Sequence, residues 1–523
     1  MSGVRNVLFI MVDQLRWDYV GAYGASPVPT PHIDALARRG VLFRNAFVQG
    51  PVCGPSRMSY YTGRYVMSHG ARWNRVPLSN AEKTLGDYLR PLGVKATLAG
   101  KSHVLPDTEM LDRAGIEVES ERGALLREGG FAPIERFDGH SPPDGRSGYA
   151  DFLRSAGYQG KDPWSDYAIS VTTEDGQSRS GWFMRNAHLP ARVREEHSET
   201  AYLTDLAVDF IQGSARQPWC LHLSYVKPHW PYVAPAPYHA MFRDAPQRPI
   251  VKAEHERTQA HPVVRAFQQH EESRSFSDDA IAGHVKPTYM GLVAQLDAQL
   301  GRVFEALEAS GQSSNTMVVL CADHGDMLGD HWLGEKELFY EAALRVPLIV
   351  VDPRPGADAT RAKVLTQLVE AIDVLPTILD GFGVDPATYQ HCVEGRSLVP
   401  LLEGRSIAWR DAVFSEADYA YRAARWTLGR APGECRGTMV RTQRWKYVDW
   451  EGFRPQLFDL VNDPDELHDL GADPPPEVER EMRERLLRWS LRRKNRITTT
   501  DIDVEQRTEA VKRHGIHIGV WSE

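Results

Sequence analysis

The sequence predicts an α/β fold, with helices on both faces of a large mostly parallel sheet, and a smaller C-terminal α+β domain built on an antiparallel sheet. Three observations carry this expectation. Short apolar runs rich in β-branched residues recur far apart, at Val7–Val12, Ala96–Ala99, Trp219–Val226, Thr316–Ala322 and Val346–Val351, as strands buried on both faces of a parallel sheet do. Helical periodicity lies between them, clearest in Met290, Val293, Leu296, Leu300, Val303 and Leu307, which are spaced by three or four and stop at Gly311. After about Pro400 the pattern changes to short alternating segments at Val413–Ser415, Gly437–Val448 and Gln456–Leu460, with a helix from about Glu477 to Lys494.

Taken in order, the first strand runs into Asp13-Gln14, the second into Gly100-Lys101-Ser102-His103, the third into Lys227-Pro228-His229 and the fourth into Asp323-His324-Gly325. Open α/β sheets bind ligands beyond the carboxyl ends of their strands, so four strand ends bring charged or imidazole groups to one edge. The polar stretches Pro106 to Thr200 and Ala234 to His284 are expected to be insertions over the sheet that shape a pocket. A boundary near Gly404 divides the chain into residues 1–404, a small domain over 405–497 and an arm over 498–523.

With 523 residues, 42% of them hydrophobic, the chain can bury a large core. A net charge of −9 gives no surface suited to nucleic acid. The basic run Arg485 to Arg496 is interleaved with Leu486, Leu487, Trp489 and Leu491 and reads as the solvated face of an amphipathic helix. Five scattered cysteines, Cys53, Cys220, Cys321, Cys392 and Cys435, argue against a disulfide framework or a zinc site. The apolar run Val7 to Val12 is too short for a signal peptide or a membrane span. The expectation is therefore a cytoplasmic protein with neither a membrane nor a nucleic acid as partner.

Cys53-Gly54-Pro55-Ser56-Arg57, followed by Thr62-Gly63-Arg64, resembles the sulfatase signature Cys-x-Pro-Ser-Arg. Gly93 to His103 is similar to the family's Gly-x-x-Thr-x-x-x-Gly-Lys-x-His, and Lys227-Pro228-His229-Trp230-Pro231 to its Lys-Pro-His-x-Pro. Further matches at Thr30-Pro31-His32 and Leu457-Phe458-Asp459-Leu460 extend the likeness over most of residues 4–470.

The resemblance implies the alkaline phosphatase-like fold and a Cys53 oxidised to formylglycine (3-oxoalanine) by a separate maturation enzyme. It implies a hydrated aldehyde with two hydroxyls on one carbon: one attacks in line, and the other then expels sulfate. It further implies that Lys101 neutralises an ester oxygen, that His103 is the base for the second hydroxyl, and that His229 and Lys336 bind the ester and protonate the leaving oxygen. Arg57 would secure the nucleophile or a metal ligand, and Asn74 is a weaker candidate for substrate binding. Asp13, Gln14, Asp323 and His324, with the Cys53-derived group, match a site for one divalent metal ion. Many sulfatases carry Asp-Asp and Asp-Asn where this chain has Asp13-Gln14 and Asp323-His324, so Ca²⁺ and Mn²⁺ both stay open.

The Asp-Gln and Asp-His pairs and the long tail are similar to the arylsulfatase and phosphonate monoester hydrolase branch. In phosphonate monoester hydrolases the Lys-x-His element is typically Tyr-x-Thr, so Lys101 and His103 favour sulfate monoesters. A phosphonate monoester or phosphodiester hydrolase is the alternative, and a silent binding relative with unmodified Cys53 a second. The tail, with Ile502, Val504, Val511, Ile516, Ile518, Val520 and Trp521, is expected to reach across a neighbouring subunit in a homo-oligomer, a tetramer or dimer.

Overall fold

The computed structural model describes residues 3–24, 26–139, 147–214, 216–519 and 521. Eight strands make the main path of its large sheet: β1 Asn6–Val12, β2 Val41–Phe47, β3 Lys95–Gly100, β4 Ala132–Arg136, β5 Trp219–Tyr225, β6 Thr316–Ala322, β7 Leu348–Val351 and β8 Lys363–Glu370. Their order is β8-β2-β7-β6-β1-β5-β3-β4. All seven residues of β1, β5 and β6 are buried, so both faces of these central strands are covered. That explains why they read as continuous apolar runs rather than alternating ones.

Five of these strands, β6-β1-β5-β3-β4, run parallel. The expectation of one more parallel strand at Val346–Val351 is corrected. Pro347 interrupts it, Arg345–Val346 forms a short antiparallel pairing with β2, and β7 runs antiparallel to both β6 and β2. The loop after β6 turns back beside its own strand without a helical crossover, and only an antiparallel neighbour allows that. Strand β2, with Arg44 and Asn45 inside it, and the edge strands β4 and β8 carry no long apolar run, and the sequence did not mark them.

The helices that matter for the site are α1 Pro31–Arg39, α2 Cys53–Thr62, α3 Glu199–Gly213, α4 Asp279–Ala309 and α5 Val374–Gly381. Helix α4 packs against α1 and α3, and α2 packs against α5. The periodic pattern from Met290 to Leu307 is the second half of α4. The helix begins earlier, continues through Pro287, and ends before Gly311 at φ 69°.

The C-terminal sheet is an antiparallel meander, β9 Val413–Asp418, β10 Arg436–Arg441, β11 Trp445–Trp450 and β12 Gln456–Asp459. The segment expected at Gly437–Val448 is two strands joined by a turn at 442–444. Helix α6, Pro476–Leu491, places Met482 against Val440, Tyr447 and Leu457. This sheet is tied to the large one where the Glu416 amide donates to the Gln49 carbonyl (2.8 Å).

Within the first insertion a short hairpin, Ser170–Thr172 with Ser178–Ser180, adjoins a separate apolar cluster of Phe137, Tyr149, Leu153, Trp164 and Val193. Residues 140–146 of that insertion lie outside the described ones, as do Val520 and the last two residues of the tail. The described tail forms two short helices with Ile502, Ile518 and Trp521 exposed. Among the described residues no helix is long and apolar enough to cross a membrane.

Candidate active site

Helix α2 begins at Cys53, which places that side chain at the positive end of the helix dipole, where negative charge is favoured. Val52 offers no capping side chain, and Asn74 from the following loop does that work: its Oδ1 accepts the Gly54 amide at 2.8 Å. The four strand ends meet this helix start. Cys53 Sγ lies 3.1 Å from His324 Nε2 and 3.8 Å from Asp13 Oδ1, and His103 and His229 stand close enough to act on its charge.

Beneath the sulfur, Arg57 is fully buried and ties the floor together. Its Nε donates to Asp323 Oδ2 (2.8 Å), Nη1 to the Lys101 carbonyl and to Ser224 Oγ (both 2.7 Å), and Nη2 lies 3.4 Å from Asp13 Oδ2. Lys101 Nζ reaches the same Asp13 oxygen at 2.5 Å. Burial and Cys53 push the Asp13 carboxyl up, but Lys101, His229 and Arg57 together hold it well below the usual range. Asp323 is pushed up by burial and by Asp13, against Arg57.

Burial also opposes a charged Cys53, yet Lys101, Lys336 and His324 hold the thiol well below its ordinary value. A group carrying negative charge at this position is thus favoured by two ammonium groups, an imidazole and a helix terminus.

On the other side of the sulfur, Lys336 Nζ donates to Gln14 Oε1 (3.1 Å) and lies 3.2 Å from His229 Nε2. His229 Nδ1 donates to the Trp230 carbonyl at 2.6 Å, so Nε2 is the acceptor of the pair. Burial holds His229 down at about 4, whereas Cys53, Glu335 and Asp13 raise Lys336 above its ordinary value despite burial. The proton of the pair therefore resides on Lys336. Gln14 is held by its other end as well, its Nε2 donating to Asp326 Oδ2 (2.5 Å) with Tyr232 OH bonded to the same oxygen (2.6 Å).

His103 adopts φ 55°, its amide donates to Asp138 Oδ1 (3.1 Å), and its ring Nδ1 is buried with no protein partner. Lys227, the first residue of the Lys-Pro-His element, is turned away from Cys53 and donates to the Pro231 carbonyl (2.8 Å). Sequence reasoning missed Asp326, Asp138 and Tyr232. Asp326 could have been suspected as the next acid after Asp323-His324-Gly325, while Asp138 lies in an insertion without any motif.

The residues present fit a divalent cation. Asp13, Cys53, Asp323 and His324 are buried and their ligand atoms lie within 4.8 Å of one another. His324 Nε2 is 3.6 Å from Asp13 Oδ1 and 3.7 Å from Asp323 Oδ1, the spacing of about 3–4 Å that neighbouring ligands adopt around such an ion. The His324 ring is oriented by Nδ1 donating to the Gly325 carbonyl (2.8 Å), which turns Nε2 toward the carboxylates.

The chain's similarities agree with this geometry. A family model described as Sulfatase matches residues 5–384, and one described as N-sulphoglucosamine sulphohydrolase, C-terminal, matches 329–492. The multifunctional alkaline phosphatase superfamily protein PehA of Trinickia caryophylli is 30% identical, over 95% of this chain and 97% of that protein. An arylsulfatase of Clostridium perfringens is 28% identical, over 89% and 90%. Among solved structures, the phosphonate monoester hydrolase of Agrobacterium radiobacter superposes with a TM-score of 0.80 at 29% identity, covering 92% of this chain and 95% of that one. A site assembled at the strand ends of this fold, and a family model matched over most of the length, lead to one conclusion: the chain belongs to the sulfatase family.

Proposed function

We propose that the protein hydrolyses sulfate monoesters with a nucleophile made from Cys53 by oxidation to formylglycine, assisted by one divalent cation. The observation that carries this reading is the placement of Cys53 at a helix start between Lys101, Lys336, His103, His229 and His324. Hydrated, the aldehyde supplies two hydroxyls on one carbon. Asp13, Asp323 and His324 would hold the cation, with Gln14 and the Cys53-derived group as further donors. Bound there, it would polarise the ester oxygens and lower the pKa of the attacking hydroxyl.

The protein's own groups divide the remaining work. Lys101 neutralises charge on the transferred group. Lys336 delivers its proton to the leaving oxygen directly or through His229 Nε2, and His103 takes a proton from the second hydroxyl. A nitrogen among the donors favours Mn²⁺ over Ca²⁺, which prefers an all-oxygen shell.

A second reading, phosphonate monoester or phosphodiester hydrolysis at the same nucleophile, is favoured by Gln14 and His324 and by the likeness to PehA and to the phosphonate monoester hydrolases. Lys101 and His103 favour sulfate. The test is co-expression with a formylglycine-generating enzyme followed by kcat/KM on 4-nitrophenyl sulfate and on 4-nitrophenyl phenylphosphonate. The larger value is expected for the sulfate, and the reverse order would establish the second reading. A protein that keeps the Cys53 thiol after this co-expression and is inactive on both would support a silent binding relative.

The five free, buried cysteines fit a reducing, cytoplasmic setting. The exposed apolar side chains of the tail fit an arm that covers a second copy, giving a dimer or tetramer. Light scattering with and without residues 498–523 tests this, and a monomer in both forms would reject it.

A further inference from the structure

The loop after β9 in the C-terminal sheet reaches the catalytic groups on two flanks. Tyr421 stacks on Trp73 (ring centroids 6.0 Å, planes 8° apart), and Arg72 pairs with Asp418 at 3.0 Å. Both contacts brace the loop carrying Asn74, the side chain that caps the helix of Cys53. The next residue, Arg422, points the other way. Its Nε lies 3.1 Å from Glu337 Oε2, its Nη2 pairs with Glu272, and the same nitrogen is 3.0 Å from His270 Nδ1. His270 accepts the Ala424 amide on Nε2 (3.1 Å), and its Nδ1 lies 3.6 Å from Glu272.

Glu337 directly follows Lys336, and Glu335 directly precedes it. Both glutamates hold positive φ, 59° and 91° for Glu335 and Glu337, a conformation that surroundings must enforce in residues other than glycine. Glu335 Oε2 already stands 4.0 Å from Lys336 Nζ. Three carboxylates, Glu272, Glu335 and Glu337, thus surround two cations, Lys336 and Arg422. By engaging two of the acids, Arg422 leaves the Lys336 ammonium directed at Gln14 and His229 instead.

We infer that Arg422 is a positioning residue for the proposed hydrolysis: it binds Glu337 and Glu272 so that the Lys336 ammonium stays directed at His229 and the leaving oxygen. The inference rests on the hydrolase reading above. Removing Arg422 draws Lys336 toward the freed carboxylates, and the loss falls on esters whose leaving oxygen needs a proton.

The experiment compares matured wild type, Arg422→Met, Arg422→Gln, Arg422→Lys and the double variant Arg422→Met/Glu337→Gln on 4-nitrophenyl sulfate and phenyl sulfate, with thermal melting of each. For Arg422→Met, kcat on phenyl sulfate is expected to fall about 100-fold, the scale of a lost general acid, and on 4-nitrophenyl sulfate less than about 5-fold. Arg422→Lys retains most activity, and the double variant recovers phenyl sulfate turnover by about tenfold. Arg422→Gln, which keeps a donor toward Glu337, supplies the same comparison if the methionine variant does not fold. Equal losses on both substrates, or no recovery in the double variant, would overturn the inference while leaving the hydrolase reading intact. A wild type inactive on every sulfate and phosphonate ester would overturn both.

Discussion

Lys336 Nζ stands 3.2 Å from His229 Nε2, and the imidazole is the acceptor because its Nδ1 hydrogen is committed to the Trp230 carbonyl. The two candidates for protonating a leaving group are therefore one unit, with the proton stored on the lysine. Removing either member is expected to lower kcat by about 10²–10³-fold for poor leaving groups and far less for 4-nitrophenol. The double variant is expected to lose little more than the worse single one. Additive losses in a double-mutant cycle would show two independent acids.

Arg57 is expected to be indispensable to the floor of the site. Arg57→Ala leaves Asp13 and Asp323 buried without their shared guanidinium, and breaking a buried ion pair costs about 3–5 kcal/mol. Arg57→Lys keeps the charge but cannot serve Asp323, the Lys101 carbonyl and Ser224 at once. Both variants should melt below wild type, the alanine lower. An unchanged melting temperature for Arg57→Ala would contradict this account.

Metal removal offers a separate check. Chelation should abolish turnover, and Mn²⁺ should restore it more fully than Ca²⁺. His324→Ala should weaken metal binding by more than the about 10–100-fold that a supporting group contributes. Full activity in chelator, with no metal detected in the protein, would remove the cation from the reading.

Three histidines outside the site predict acid sensitivity. Burial holds His69 and His222 down at about 3 and His261 at about 4, against an ordinary value of 6.5. Below 6.5 the unfolded chain takes up these protons and the folded one does not, so stability falls as pH drops from about 6.5 toward 4, by up to about 1.4 kcal/mol per pH unit for each histidine. Thermal melting between pH 7 and 5 measures it, and a flat profile would contradict the burial of neutral imidazoles.

Much of the site was legible in the sequence because its residues sit at the ends of strands that are apolar throughout, such as β1 and β6. What was not legible depends on chain direction and on long-range pairing. Leu348–Val351 is as apolar as a parallel strand, and its direction follows from the loop before it. The polar strand β2, which leads into Cys53, hides Arg44 and Asn45 among apolar neighbours. Arg422 lies in no motif, and the fold alone brings it to Glu337. Gln14 was legible as a neighbour of Asp13, but only the structure gives its double engagement with Lys336 and Asp326.

The most direct test of the central claim is the mass of the tryptic peptide spanning residues 45–57, taken from protein co-expressed with the maturation enzyme and followed alongside its sulfatase activity. The account predicts a peptide in which Cys53 has lost one sulfur and two hydrogens and gained one oxygen, in a fraction that rises in step with specific activity. An unmodified Cys53 thiol in fully active protein would contradict it.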